Sequence, residues 1–202
     1  MEKTRFTGKM SSKDYLKFAL FALMEEKNIY QITVKELCEK AMVNRSTFYA
    51  NYPSQDIFYQ QVMREVAYGL VKAVETEGAP QEMLRNKALA YRRYRKWYTH
   101  VHDHYDEFRL LLGVNGTARF RDLLLKQGIN WYTQLLSPVM SRIGGNISLD
   151  VLVNYVINAH LGLLEYYINS GMKYSPEYMA EQMVNITMGL TKLDSISFIK
   201  QE

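Results

Sequence analysis

The sequence predicts an all-α protein of about nine helices: an N-terminal three-helix unit of the helix-turn-helix kind, then a larger helical body. Three observations carry that reading. Apolar residues recur at three- and four-residue spacing through most of the chain. Only four prolines interrupt its 202 residues, and strand and hairpin signals are few. Residues 33–52 place two short helices around a tight turn.

The first helix runs from about Ser11 or Ser12 to Lys27 and carries Leu16, Ala19, Leu20, Leu23 and Met24 on one face. Asn28 follows as a residue that tolerates a left-handed cap. Thr33 and Glu36 form a capping box, each side chain meeting the other's orphan backbone N–H, and this starts the second helix. Val34, Leu37, Cys38 and Ala41 give it one apolar stripe. Met42 and Val43 make the corner, and Asn44 is the expected N-cap of a third helix over residues 45–51. At about 1.5 Å per residue that helix is a rod of roughly 10 Å, a size the major groove of B-DNA admits.

Pro53-Ser54 breaks the chain. A long helix over about residues 54–77 follows, with Ile57, Phe58, Val62, Val66, Leu70 and Val74 in register. It spans roughly 35 Å and links reader to body. The body is read as a helix from Gln81 to about His104, a short one over Asp106–Leu112, a loop at residues 113–116 and a helical stretch over Thr117–Ser137 that breaks near Pro138 and ends at Gly144-Gly145-Asn146. A helix over Ser148–Ser170 takes Gly171 as its C-cap. The last helix is capped by Ser175, opens on Pro176 and reaches about Leu193. The expected division is therefore a reader over 1–52 and a body over 53–202.

Composition narrows the function. No apolar run approaches the length of a membrane span, the polar start lacks the apolar core of a secretion signal, and a single cysteine fits a reducing compartment, so a cytoplasmic protein is expected. The net charge is +4. Residues 1–52 hold nine Lys/Arg against six Asp/Glu, so most of the excess sits with the reader, as phosphate neutralisation requires. A solvated surface accounts for that excess equally well. A basic arm with Lys3, Arg5 and Lys9 precedes the first helix. No glycine-rich phosphate loop or nucleophile motif is present, so neither an enzyme nor a cofactor is expected. His100 and His104 share a helical face at ligand spacing, but zinc needs further ligands, and no metal is expected there.

The segment Ile32-Thr33-Val34-Lys35-Glu36-Leu37, continuing through Val43-Asn44-Arg45-Ser46-Thr47-Phe48-Tyr49 to Tyr52, resembles the DNA-binding signature of TetR/AcrR-type transcriptional regulators. Residues 161–177 resemble, more loosely, the dihydroxyacetone-kinase-regulator subgroup of that family. The resemblance implies a homodimer on a palindromic operator in double-stranded DNA, more often a repressor than an activator, released by a small-molecule effector. It carries Thr33, Asn44, Arg45, Ser46, Thr47, Tyr49 and Asn51 over as DNA-contacting positions. Arg45 is the best base reader, because a guanidinium can bond O6 and N7 of guanine together. Phe48 and Tyr52 match positions that hold the reader helix against the first helix.

Two departures stand out. The family usually has glycine where this chain has Met42, and often lysine near the start of the fourth helix, where Gln55 stands. They leave room for an alternative, a TetR-like co-regulator that acts by protein contact with weak or no DNA binding.

Within the body, Tyr94, Trp97, Tyr98, Phe108, Phe120, Trp131, Tyr132 and Tyr155 are candidates to line an effector pocket, with ordinary core packing as the competing reading. Arg92, Arg93, Arg95 and Lys96 form a basic patch whose default reading is a charged helix face, with an anionic ligand or partner as the alternative. The dimer surface is expected on the last two helices, through Leu149, Leu152, Val153, Val156, Ile157, His160 and Leu164 on one and Met179, Met183, Ile186 and Leu190 on the other. Filling the protomer's own core is the alternative use of both stripes.

Overall fold

The computed structural model describes residues 10–74, 80–142 and 147–190. The basic arm and the segment around residues 144–146 lie outside them, as do the side chain of Leu190 and the end of the last helix. Among the described residues the regular structure is helical throughout: α1 Ser12–Met24, α2 Val34–Ala41, α3 Arg45–Asn51, α4 Gln55–Val74, α5 Lys87–Asp103, α6 Tyr105–Leu112, α7 Ala118–Leu136, α8 Leu149–Asn169 and α9 Pro176–Leu190. None of these helices is long and apolar enough to cross a membrane.

The chain forms two compact units. One comprises Met1–Val66 with Asp106–Phe120, the other Ala67–Tyr105 with Arg121–Glu202.

In the first unit, α1 starts at a capping box: Asp14 N–H donates to Ser11 Oγ at 3.3 Å, and Ser11 N–H to Asp14 Oδ2 at 2.8 Å. Leu16, Ala19, Leu20 and Met24 are buried along its inner face. The helix stops at Met24, about a turn short of the expected Lys27. Asn28 has φ −61°, outside the left-handed region, and caps a 3-10 turn over Ile29–Gln31. An asparagine that can terminate one helix can equally begin the next element, and here it does the second.

Residues 106–120 join this unit through specific bonds. Ile29 N–H donates to the Asn115 carbonyl at 2.9 Å, and the Asn115 amide donates to the Met24 carbonyl at 2.9 Å. Lys17 pairs with Glu107 at 3.0 Å, and Arg109 pairs with Glu25. Phe108 and Phe120 close the unit's core against each other, 6.1 Å between ring centroids.

In the second unit the expected helix from Gln81 to His104 divides. Pro80–Leu84 is a 3-10 turn, and Asn86 caps α5 by accepting from Leu89 N–H at 3.0 Å. α5 packs along α9, while α7 meets α8 at Gly128. A Cβ there would lie 2.1 Å from Ile157 Cδ1, so glycine sets how closely the two backbones approach. α8 ends where Gly171 takes φ +67°, as its position predicted. α9 begins with Tyr178 N–H donating to Ser175 Oγ at 3.2 Å.

Candidate functional site

The reader is built on the α2–α3 corner. Thr33 accepts from Glu36 N–H at 3.3 Å, Thr33 N–H donates to Glu36 Oε2 at 2.8 Å, and Val34, Leu37, Cys38 and Ala41 turn inward. The Lys27 ammonium, with Thr33, holds the Glu36 carboxyl down to about 2. Burial pushes the Cys38 thiol up, which keeps it protonated as a packing group. Met42 closes the corner at φ 53°, ψ 41°, the left-handed conformation where the resembling family places glycine. Its side chain is 89% exposed.

α3 spans Arg45–Asn51, as expected, and its two faces are chemically opposite. Phe48 and Tyr52 are buried and pack on Phe58 of α4, at centroid distances of 5.6 and 4.9 Å. These aromatic contacts run to the fourth helix, and Lys13 of α1, the helix the resemblance pointed to, lies over the Tyr52 ring 6.0 Å from its centroid. Fully burying one such ring stabilises by about 1.5–3 kcal/mol, ample to fix a seven-residue helix that would not persist alone. Arg45, Ser46 and Tyr49 stand exposed on the other face, with Asn44 exposed just before them.

Several expected DNA contacts are occupied within the chain. Asn51 donates its amide to the Thr47 carbonyl at 2.8 Å, and Thr47 is half-buried. The Thr33 hydroxyl donates to Glu36 Oε2 at 2.7 Å, which leaves it only an acceptor lone pair for solvent or phosphate. Asn44 occupies the N-cap position without a side-chain cap bond, so its amide is not spent on the helix. Gln55 turns inward, donating to the Ile32 carbonyl and lying 2.5 Å from the Tyr59 hydroxyl. Burial pushes Tyr59 up to about 12. Exposed Lys35, Lys40 and Ala50 join the reader surface, and reading the family motif alone passed them over. The helical phase of α2 and α3 would have found them, since each lies opposite a buried residue.

The eight aromatic pocket candidates do not form one group. Phe108 and Phe120 belong to the first unit's core, and Tyr155 is 64% exposed. Tyr94, Tyr98 and Tyr132 are buried in the second unit, flanked by half-buried Trp97 and Trp131, which meet Tyr98 and Tyr132 edge-on at 4.9 and 4.8 Å.

There a polar cluster emerges. The Tyr94 hydroxyl lies 2.8 Å from Thr187 Oγ1 and 3.4 Å from His160 Nε2, and it shares a hydrogen bond with Tyr132. His160 Nδ1 lies 2.7 Å from the Val156 carbonyl, an acceptor only, so Nδ1 carries the proton and Nε2 the lone pair. Burial lowers the His160 pKa, which keeps the ring neutral, and raises that of Tyr94 to about 12. Tyr98 and Tyr167 stack edge-to-face at 5.2 Å, fully buried. Thr187 and Tyr167 are additions to the expected set. Tyr167 lies two turns after His160 on one face of α8, a spacing that could have suggested it.

The interface stripe also needs correcting. Val153, Ile157, Leu164, Met179 and Met183 are buried by the protomer itself, and His160 belongs to the polar cluster. Leu149, Leu152 and Val156 are half-buried. Ile186 is 46% exposed, and Leu190 lies outside the described side chains. The exposed apolar row of α8 is instead Val151, Tyr155 and Tyr166, beside Tyr178 and Ile186 on α9. Both rows have helical spacing, and the more aliphatic one went inward. His100 and His104 have ring centroids 4.4 Å apart; among the described residues no group of three possible ligands forms a metal site.

A helix-turn-helix corner in one compact unit and a buried polar cluster in the helices of the other are the features of a one-component transcription regulator, and that is the class of protein they point to. Residues 91–189 match a family model described as the transcriptional regulator C-terminal region of TetR proteins. Over 174 residues the chain is 25% identical to YxbF, an uncharacterized HTH-type transcriptional regulator of Bacillus subtilis (strain 168); the match covers 86% of this chain and 44% of that one. The chain thus spans less than half the length of this curated relative.

Among solved structures, the fold is similar to DhaS, a dihydroxyacetone kinase operon activator, with a TM-score of 0.59, 14% identity, and coverage of 92% of this chain and 98% of that one. It is also similar to FadR of Bacillus subtilis in complex with stearoyl-CoA, with a TM-score of 0.63, 12% identity, and coverage of 86% and 96%. Residues 91–189 are thus the C-terminal region of a TetR-type transcriptional regulator.

Proposed function

We propose that the chain is a cytoplasmic, homodimeric DNA-binding repressor whose grip on a palindromic operator is set by a small molecule held in the body. Residues 1–52 read DNA; residues 53–202 bind effector and partner copy. One observation carries this reading: Arg45, Ser46 and Tyr49 are exposed on a helix whose opposite face is locked by Phe48 and Tyr52. A rigid, outward-facing rod of that size is what a groove requires.

A single such helix reads too few base pairs to define a genomic site, so the reading requires a twin. The exposed row of Val151, Tyr155 and Tyr166 on α8, with Tyr178 and Ile186 on α9, supports pairing there. The stearoyl-CoA complex of FadR supports a ligand in the body. Repression lifts when that ligand binds the free dimer better than the operator-bound one.

Selection of operators from a random DNA pool tests the proposal. The wild-type chain is expected to enrich a palindrome, and Arg45→Ala to lose about 1–3 kcal/mol of discrimination at one base position in each half-site. Affinity is expected to fall steeply as salt rises. An unchanged sequence preference in Arg45→Ala would remove Arg45 from its role. A chain that enriches nothing at low salt, and co-purifies with another protein, would favour the co-regulator reading, which the inward turn of Gln55 supports.

A further inference from the structure

The basic run of α5 divides in the structure. Arg93 turns inward with Leu89, Ala90, Tyr94, Tyr98 and Val101, and feels the charge of Glu82. Arg92, Arg95 and Lys96 stand exposed on the opposite face, within little more than one helical turn. Short side chains flank them, Ala88 a turn before Arg92 and Thr99 a turn after Arg95. Among the described residues, none of the three cations enters an ion pair, a hydrogen bond or a ring contact.

That arrangement works against the helix that carries it. Arg92 lies three residues from Arg95 and four from Lys96, spacings at which like charges repel across a helix face. Lys87 adds a cation at the first residue of α5, the end where the helix dipole favours an anion, and the first turn holds no acid. A negatively charged partner on this face would supply the compensation that the described residues do not.

The charge is also local. Residues 85–96 hold six Lys/Arg and no Asp/Glu, while the remainder of residues 53–202 holds ten against fifteen. A long polyanion, duplex DNA or an anionic bilayer, would extend past the patch toward a body that is otherwise net acidic. Among the described residues α5 presents no exposed large apolar side chain to enter a bilayer or stack on an unpaired base. A second copy meeting this face through the same face would set the cations against themselves. A short anion of matching length fits best. Carboxylates three and four residues apart on a helix repeat the spacing of Arg92, Arg95 and Lys96, and each guanidinium fork can grip one carboxylate through paired N–H bonds.

We propose that Arg92, Arg95 and Lys96 form a docking surface for an acidic segment of another protein, a helix with Glu or Asp three and four residues apart. The surface uses none of the operator-contacting residues, so it stands or falls apart from the reading of the chain as a DNA-binding repressor.

The test is fluorescence anisotropy of the full chain with a labelled alanine-rich peptide whose glutamates stand three and four residues apart, beside a control peptide with glutamine in their place. The acidic peptide is expected to bind at low salt and the control not. Arg92→Gln, Arg95→Gln and Lys96→Gln are each expected to weaken binding roughly two- to fivefold, and the three together at least about tenfold. Glutamine matches the helix propensity of the residues it replaces, so the melting temperatures should not fall. Lys35→Gln with Lys40→Gln, on the reader, is expected to leave peptide binding unchanged. An equal loss in that reader variant, or full binding by the triple variant, overturns the proposal. It is overturned too if the triple change weakens a non-operator duplex or phosphatidylglycerol vesicles more than the peptide, since the patch would then serve nucleic acid or membrane.

Discussion

Met42 and His160 are single positions where a physical cost is visible and can be measured. Met42 holds φ 53°, where a side chain costs on the order of 1–2 kcal/mol, and its near-complete exposure gives little packing in return. Met42→Gly is expected to raise the unfolding free energy by about 0.5–1 kcal/mol, part of the relief being spent on glycine's freer unfolded chain. Urea melts read this as a higher midpoint at unchanged slope. His160 gives a pH signature. Burial sets its folded pKa below 6.5, so on acidification the unfolded chain takes up the proton first. Its contribution is therefore intact above pH 6.5 and is lost as pH falls from there through the lower, folded pKa. His160→Gln is expected to flatten that part of the stability–pH curve; an unaltered slope would show the imidazole is not the group responsible.

At the scale of elements, legibility followed the number of independent signals. α3 was readable to the residue because an N-cap asparagine before it and Pro53 after it bracket an aromatic pair that must turn inward. The break at Asn86 was not, since the stretch from Gln81 to His104 holds neither glycine nor proline. α8 carries apolar residues round most of its girth, and spacing alone cannot tell which row the protomer keeps. Its phase is fixed by Gly128, which lets Ile157 press against α7. Gly128→Ala would put a methyl 2.1 Å from Ile157 Cδ1 and 2.6 Å from Cγ1. Overpacking of this kind costs about 1–3 kcal/mol, against up to about 1 kcal/mol gained in helix propensity, so a net loss is expected. In an Ile157→Ala background the same change should become neutral or stabilising. A double-mutant cycle showing no coupling would mean the two helices part easily at this point.

For the whole molecule, function and compactness divide the chain differently. The motif that reads DNA ends by Tyr52, yet the compact unit around it draws in residues 106–120, more than fifty positions later. Sequence periodicity could not reveal this, because it reports which face of a helix is buried and not which distant segment buries it. The bonds concerned are specific: the Asn115 amide donates to the Met24 carbonyl, Ile29 N–H donates back to the Asn115 carbonyl, and the Tyr30 hydroxyl lies 2.6 Å from Thr117 Oγ1. Asn115→Ala leaves a helix-end carbonyl without its donor and is expected to cost about 1–3 kcal/mol. A fragment of residues 1–66 loses the whole segment, including the Phe108–Phe120 pair and the ion pairs of Glu107 and Arg109. It should therefore show little cooperative melting by circular dichroism, and a peptide of residues 105–120 added in trans should restore helicity. If the fragment alone melts as sharply as the intact chain, residues 106–120 are a passenger on the reader.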